Sequence, residues 1–167
     1  MKAIEIHYQS QRSVRARGVL WLLEKHAPLH GLLNKKRHAW GLCSDDLMAY
    51  PQGSLGYSLG VFYKKEKFEP IARAERHDVF HVLFGYSTHV IDEAAMQFFL
   101  WGNGKGSLFT IGTCVISAFV FPNKIAHFIR HYKKGGKCIP VKDWNFKFLL
   151  TEDLRELRQK FILKQSH

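Results

Sequence analysis

His77-Asp78-Val79-Phe80-His81, followed after eleven residues by Glu93, is the stretch from which the rest of the chain is read. The spacing predicts a helix over 71–84. His77 and His81 stand one turn apart on it and share a face. Asp78 lies about 100° round from His77 and three residues before His81, so its carboxylate can join them. Gly85-Tyr86-Ser87 breaks the helix, and a second helix from about Thr88 places Glu93 in its second turn. Two antiparallel helices bring Glu93 back opposite the histidines. Two imidazoles and one or two carboxylates then make a ligand set suited to a divalent metal with open positions.

A plainer origin exists for the same letters. In a chain with ten histidines an i, i+4 pair arises by chance, and Asp78 beside it could serve Arg76 as a surface ion-pair partner. The flanks weigh against that. Val79, Phe80, Val82, Leu83 and Phe84 surround the pair, and Ala94, Ala95, Phe98 and Phe99 follow Glu93. The polar cluster is therefore expected to point inward, where carboxylates and imidazoles need partners that a metal supplies.

The chain has 167 residues, 46% of them apolar, which predicts one domain over 1–167 with a sizeable core. Lys and Arg number 25 against 14 acids, a formal charge of +11. Such a balance favours anionic partners. No basic cluster carries a nucleic-acid motif, so nucleic acid is not the expected partner, and an acidic membrane surface is favoured over it. Cys43, Cys114 and Cys138 show no CxxC spacing and suggest a reducing compartment. Met1 to Gln11 lacks the apolar region of a signal peptide, and no apolar run has the length of a membrane span. The expected location is cytoplasmic, at the inner face of the cell membrane.

Elsewhere the pattern is helical. Residues 11–26 read as a basic amphipathic helix ending at Pro28, able to cover a core or lie on a membrane. Ser44 is expected to cap a short helix over Asp45 to Tyr50, and Ser54 a longer one to Lys65. The run Ser107 to Phe121 is apolar but contains Thr110, Gly112, Thr113 and Ser117, and is read as a buried helix; its other reading is a lipid-cavity wall or membrane-dipping element. Pro122 opens a helix through Lys133, which Gly135-Gly136 ends. His127 and His131 form a second i, i+4 pair, crowded by Arg130, Lys133 and Lys134, and are expected on a basic surface face. Thr151 is expected to cap the last helix, and 145–149 is the one place where a strand is considered. The predicted fold is all-α, a bundle of about six or seven helices with an apolar cavity between them.

At this point the residues resemble the coenzyme Q (ubiquinone) biosynthesis protein 4 family. His-Asp-x-x-His, eleven residues, then Glu is its signature, met here by His77, Asp78, His81 and Glu93. Tyr50-Pro51-Gln52-Gly53-Ser54-Leu55-Gly56 resembles the family's Pro-x-Gly-Thr-Leu-Gly element, and His81-Val82-Leu83-x-Gly85-Tyr86 its His-Val-Leu-x-Gly-Tyr. The stretch Gly135 to Trp144 and the closing Leu154-x-x-Leu157-Arg158 resemble its C-terminal part, so the likeness spans about residues 44–163. Phe84 and His89 depart from it, standing where many members have Thr and an acid.

The resemblance implies an all-α protein of ubiquinone biosynthesis, here a bacterial one, peripheral to a membrane and working beside other enzymes of the pathway. It implies a divalent metal, usually taken as zinc, on His77, Asp78, His81 and Glu93. Iron or manganese also suits the donors. The implied reaction is oxidative decarboxylation at ring carbon one of a polyprenylated benzoate, carboxyl giving way to hydroxyl. The alternative is a non-catalytic scaffold that presents the lipid intermediate, and a homodimer is compatible with either. On the enzyme reading Arg76 meets the carboxylate head, while Phe98 and Trp101 line the path of the prenyl tail. A hydrolase is the third reading, since HDxxH is similar to HExxH peptidases, but Asp78 is one methylene shorter than the Glu that activates water there.

Overall fold

The computed structural model describes residues 39–72 and 74–162. Within them lie seven α-helices: α1 (Ser44–Met48), α2 (Leu55–Glu66), α3 (Glu75–Phe84), α4 (Val90–Gly102), α5 (Leu108–Val120), α6 (Ile125–Gly136) and α7 (Leu154–Ile162). Short 3-10 turns cover Pro122–Lys124 and Phe146–Leu149. Among the described residues there is no strand, only an isolated antiparallel bridge between Ser54 and Asp153. The chain is all-α, as the sequence predicts. The helix expected over 11–26 lies outside the described residues.

Local chemistry sets the helix ends. Ser54 Oγ accepts from Tyr57 N–H at 3.1 Å and caps α2, as expected. Two other caps differ. Ser44 is the first buried residue of α1 rather than its cap, because its hydroxyl donates to Glu69 Oε1 at 2.9 Å. Cys43 takes the cap position, and Asp46 accepts its N–H at 2.8 Å. At α7 the cap is Asp153, not Thr151: its Oδ1 accepts from Arg155 and Glu156 N–H at 2.8 and 3.1 Å. The carboxylate reaches two orphan donors of the first turn. The segment considered as a strand at 145–149 contains a 3-10 turn instead.

Two clusters make the core. The larger joins α2, α3, α4 and α7 through Leu55, Leu59, Val79, Phe80, Phe99 and Phe161, among others. The smaller lies between α4, α5 and α6, around Ala94, Phe98, Cys114 and Phe128. Helix α4 runs through both, packing most extensively on α6. That crossing is close because two glycines allow it. A Cβ on Gly102 would collide with the carbonyl of Tyr132, and one on Gly135 with the carbonyl of Phe99. Gly135, expected to end α6, is thus a contact point within its last turn.

Asn103 locks the far end of α4. Its buried amide donates to the carbonyls of Gly135, Cys138 and Ile139 and accepts from Val141 N–H at 3.0 Å. At the end of α3, Gly85 adopts φ 73°, a left-handed turn that suits glycine, and its N–H closes on His81 O at 2.9 Å. Arg158 of α7 donates to the carbonyls of Leu83 and Val82 at 3.1 and 2.7 Å. Helix α3, which carries both motif histidines, is therefore fixed at its C-terminus.

One expectation about burial fails. Helix α5 buries Thr110, Thr113, Cys114 and Ser117, whereas its large apolar residues Leu108, Val115, Ile116 and Phe119 are exposed. It is not a buried helix but a half-exposed one.

Candidate metal centre

Helix α3 ends at Phe84, and the turn through Gly85 returns the chain so that α4 begins at Val90, with His89 as its N-cap. Glu93 falls in the first turn of α4, slightly earlier than expected. This geometry aims the Glu93 carboxylate at the α3 face bearing His77 and His81. His81 Nε2 lies 2.8 Å from Glu93 Oε1, and His77 Nε2 lies 3.5 Å from Glu93 Oε2. One donor atom from each of the three residues falls within 4.8 Å of the others. Two ligands at roughly 2.1 Å from a tetrahedral ion sit about 3.4 Å apart, so these separations suit one cation.

The cluster is shielded by its neighbours. The His81 side chain is 2% exposed, Glu93 13% and His77 32%. Phe62 of α2 stacks on the His81 ring, centroids 5.5 Å apart. His81 Nδ1 lies 3.2 Å from the carbonyl of Tyr86. A carbonyl only accepts, so Nδ1 carries the proton and Nε2 is the nitrogen turned to Glu93. Nitrogen and carboxylate at 2.8 Å need a positive charge between them, either a proton or a metal. For His77, burial opposes the charged ring, but Glu93 and Asp78 outweigh it and push its pKa up to about 10. For Glu93, burial favours the neutral acid, but His81 and His77 outweigh it and hold the carboxyl well below its usual range. The three side chains thus surround a place where a cation is stabilised.

Asp78, the fourth member of the motif, takes a different place. Its Oδ2 accepts the Tyr63 hydroxyl at 2.7 Å, and its Oδ1 stands 3.6 Å from His77 Nδ1. It therefore backs His77 from the side away from Glu93 and falls outside the three-residue cluster. Burial and the Asp78 carboxylate together push the Tyr63 hydroxyl pKa far upward, so it stays a donor. In the sequence Tyr63 and Phe62 stand out only as apolar members of the helix that Ser54 caps. The one available signal was that a buried Tyr hydroxyl needs a partner.

Arg76, expected to meet a carboxylate head, is engaged with the backbone. Its guanidinium donates to the carbonyls of Trp144, Val141 and Lys142 at 2.9, 2.6 and 2.7 Å and lies over the Phe146 ring. It ties α3 to the 141–146 segment. Phe98 is buried and stacks on Phe128 at 5.0 Å, and half-buried Trp101 meets Tyr132 edge-on at 5.3 Å. Neither belongs to the His–His–Glu cluster. The second pair, His127 and His131, is half-buried rather than a plain surface face. His131 Nδ1 lies 2.6 Å from the Tyr86 hydroxyl, and burial, with His127 and Lys134, lowers its pKa.

No family model and no curated protein matches this chain. Among solved structures, one from Nostoc punctiforme PCC 73102, described as a "Putative ubiquinone biosynthesis protein", is similar over 97% of this chain and 88% of its own. The TM-score is 0.61 and the identity 17%. At that identity the likeness establishes a shared fold. Fold and site together define an all-α protein with a two-histidine, one-glutamate cluster able to hold a metal between consecutive helices.

Proposed function

We propose that this chain is a metal-dependent protein of ubiquinone biosynthesis, acting on a polyprenylated benzoate by oxidative decarboxylation at ring carbon one. The observation that carries the reading is the convergence of His77, His81 and Glu93 on one point between α3 and α4. The signature spacing and the fold shared with the Nostoc protein support it.

The residues fit a divalent ion. Two imidazole nitrogens and a carboxylate are a donor set for zinc, iron or manganese, and zinc brings no redox chemistry of its own. When bound, such an ion would polarise substrate oxygens and offset negative charge as carbon dioxide is lost. The chain's own residues do the rest. His81 is held in one tautomer by the Tyr86 carbonyl, and Phe62 covers its ring. Asp78 orients His77 from behind and is itself held by Tyr63. Half-buried Trp101, further along α4 from Glu93 and backed by the buried Phe98 ring, offers the apolar surface toward which the prenyl tail would run. Arg76 is left to its structural contacts. In the reaction the acid, water and dioxygen would give the phenol, carbon dioxide and hydrogen peroxide: the carboxyl leaves as carbon dioxide, water supplies the hydroxyl at ring carbon one, and the two electrons released reduce dioxygen to peroxide.

The test is turnover. Purified protein loaded in turn with zinc, manganese and ferrous iron is given a short-chain prenylated 4-hydroxybenzoate under air, and hydroxylated product and carbon dioxide are measured. One metal should support turnover that His81→Ala abolishes. A rate unchanged in His81→Ala would rule the reading out. Tight lipid binding without turnover on any metal would favour the scaffold instead.

A further inference from the structure

Helix α5 is built inside out for a helix surrounded by water. Thr110, Thr113, Cys114 and Ser117 recur at helical spacing on its inner face, and Ser117 Oγ is buried with no hydrogen-bond partner. On the opposite side Leu108, Val115 and Phe119 form one narrow stripe, with Ile116 beside it. Leu108 is 91% exposed and Phe119 82%. A helix that merely covers a core shows the reverse order. A contiguous apolar stripe of this kind marks an interaction surface.

Charge identifies what meets it. From Ala94 to Lys142 the sequence has no Asp or Glu, yet it has seven Lys and Arg. Lys124, Arg130, Lys133, Lys134 and Lys137 are all exposed, just beyond the end of α5 or on and after α6. Two copies presenting this region to each other would bring like charges together, whereas an anionic bilayer attracts it. No single described helix is long and apolar enough to cross a membrane, but α5 and the Pro122–Gly136 segment follow each other at a bend of 108°. That arrangement suits a helix lying in the interface, with the next one carrying cations at the headgroups.

We infer that the outer face of α5 seats this protein on an anionic lipid surface, Leu108, Val115, Ile116 and Phe119 entering the headgroup–acyl boundary while the cations of α6 hold the phosphates. These residues are other than the basic segment 11–26, which the sequence reads as able to cover a core or lie on a membrane. It shares no residue with the His77–His81–Glu93 cluster, so it stands or falls independently of the chemistry proposed there.

Full-length protein is sedimented with vesicles of phosphatidylcholine alone and with about one-third phosphatidylglycerol. Binding should require the anionic lipid and weaken with salt. The Leu108→Ser/Phe119→Ser pair should lower partitioning by about tenfold or more, with helix content and metal content unchanged. Lys133→Glu/Lys134→Glu should lower it on anionic vesicles with the apolar stripe intact. Failure to bind anionic vesicles, or equal binding by the Leu108→Ser/Phe119→Ser variant, would overturn the assignment. So would a wild-type dimer that Phe119→Ser converts to monomer, which would make the face a contact between copies.

Discussion

Asp78 sits between two side chains, Tyr63 and His77, and the order of those contacts decides what it does. With one oxygen on the Tyr63 hydroxyl at 2.7 Å and the other 3.6 Å from His77 Nδ1, it orients a ligand rather than completing the cluster. Tyr63→Phe removes the support without touching His77, His81 or Glu93. It should weaken zinc affinity by about tenfold, with little change in the far-UV spectrum, measured by competition with a chelating dye. Protonation gives a second expectation. His77 is raised to about 10, so in the metal-free protein it is charged at neutral pH and must lose its proton to bind an ion. Affinity should therefore rise about tenfold per pH unit between about pH 7 and 9, and calorimetry in buffers of different ionisation enthalpy should show close to one proton released. A flat pH profile would contradict it. For stability without metal the signs are opposite on the two groups. The raised His77 stabilises fully below its ordinary value of 6.5 and loses this as pH climbs through about 10. The depressed Glu93 stabilises above its ordinary value of 4.5 and loses this in acid. Their joint contribution is greatest between pH 4.5 and 6.5.

Helices carry these residues, and their packing explains what the sequence showed and what it hid. The i, i+4 histidines, the Gly85 break and the return of Glu93 were legible because each is a local property of a helix or a turn. Gly135 was not, because glycine ends helices and also lets helices touch, and only the partner helix tells which. Gly135→Ala would drive a methyl into the Phe99 carbonyl and should cost about 2–3 kcal/mol or more in urea melts, well beyond a propensity effect of opposite sign. Asn103 was equally hidden, inside the run Gly102-Asn103-Gly104-Lys105-Gly106 that reads as a loop by composition. Its amide joins the end of α4 to four backbone groups between Gly135 and Val141. Asn103→Ala removes all four of these bonds at the buried end of α4 and should cost about 3 kcal/mol by the same melts. The polarity of α5 was misjudged for a related reason. Its mean apolarity is high, but which face points inward depends on neighbours that sequence spacing does not name.

At the scale of the molecule, a bundle of helices holds a cation-seeking cluster on the α3–α4 side and an acid-free, partly apolar surface on the α5–α6 side. The fold sets two core clusters on different faces of α4, the larger beside α3 through Met96, Phe99 and Leu100, the smaller against α5 and α6 through Ala94, Ala95 and Phe98. Helix count and class were legible because apolar periodicity and caps recur along the chain. The place of Asp78 beside the cluster depended on three-dimensional competition, with the Tyr63 hydroxyl taking one of its oxygens, and the backbone contacts of Arg76 to the 141–144 carbonyls were equally outside the reach of local spacing.

The central claim is that His77, His81 and Glu93 together hold one divalent ion. Elemental analysis of purified wild-type protein and of Glu93→Gln, each loaded with zinc and dialysed against metal-free buffer, measures that directly. The expected result is close to one zinc per wild-type chain and almost none in the variant, with both proteins folded. Wild-type protein that retains no metal, or a variant that retains as much as wild type, would contradict it.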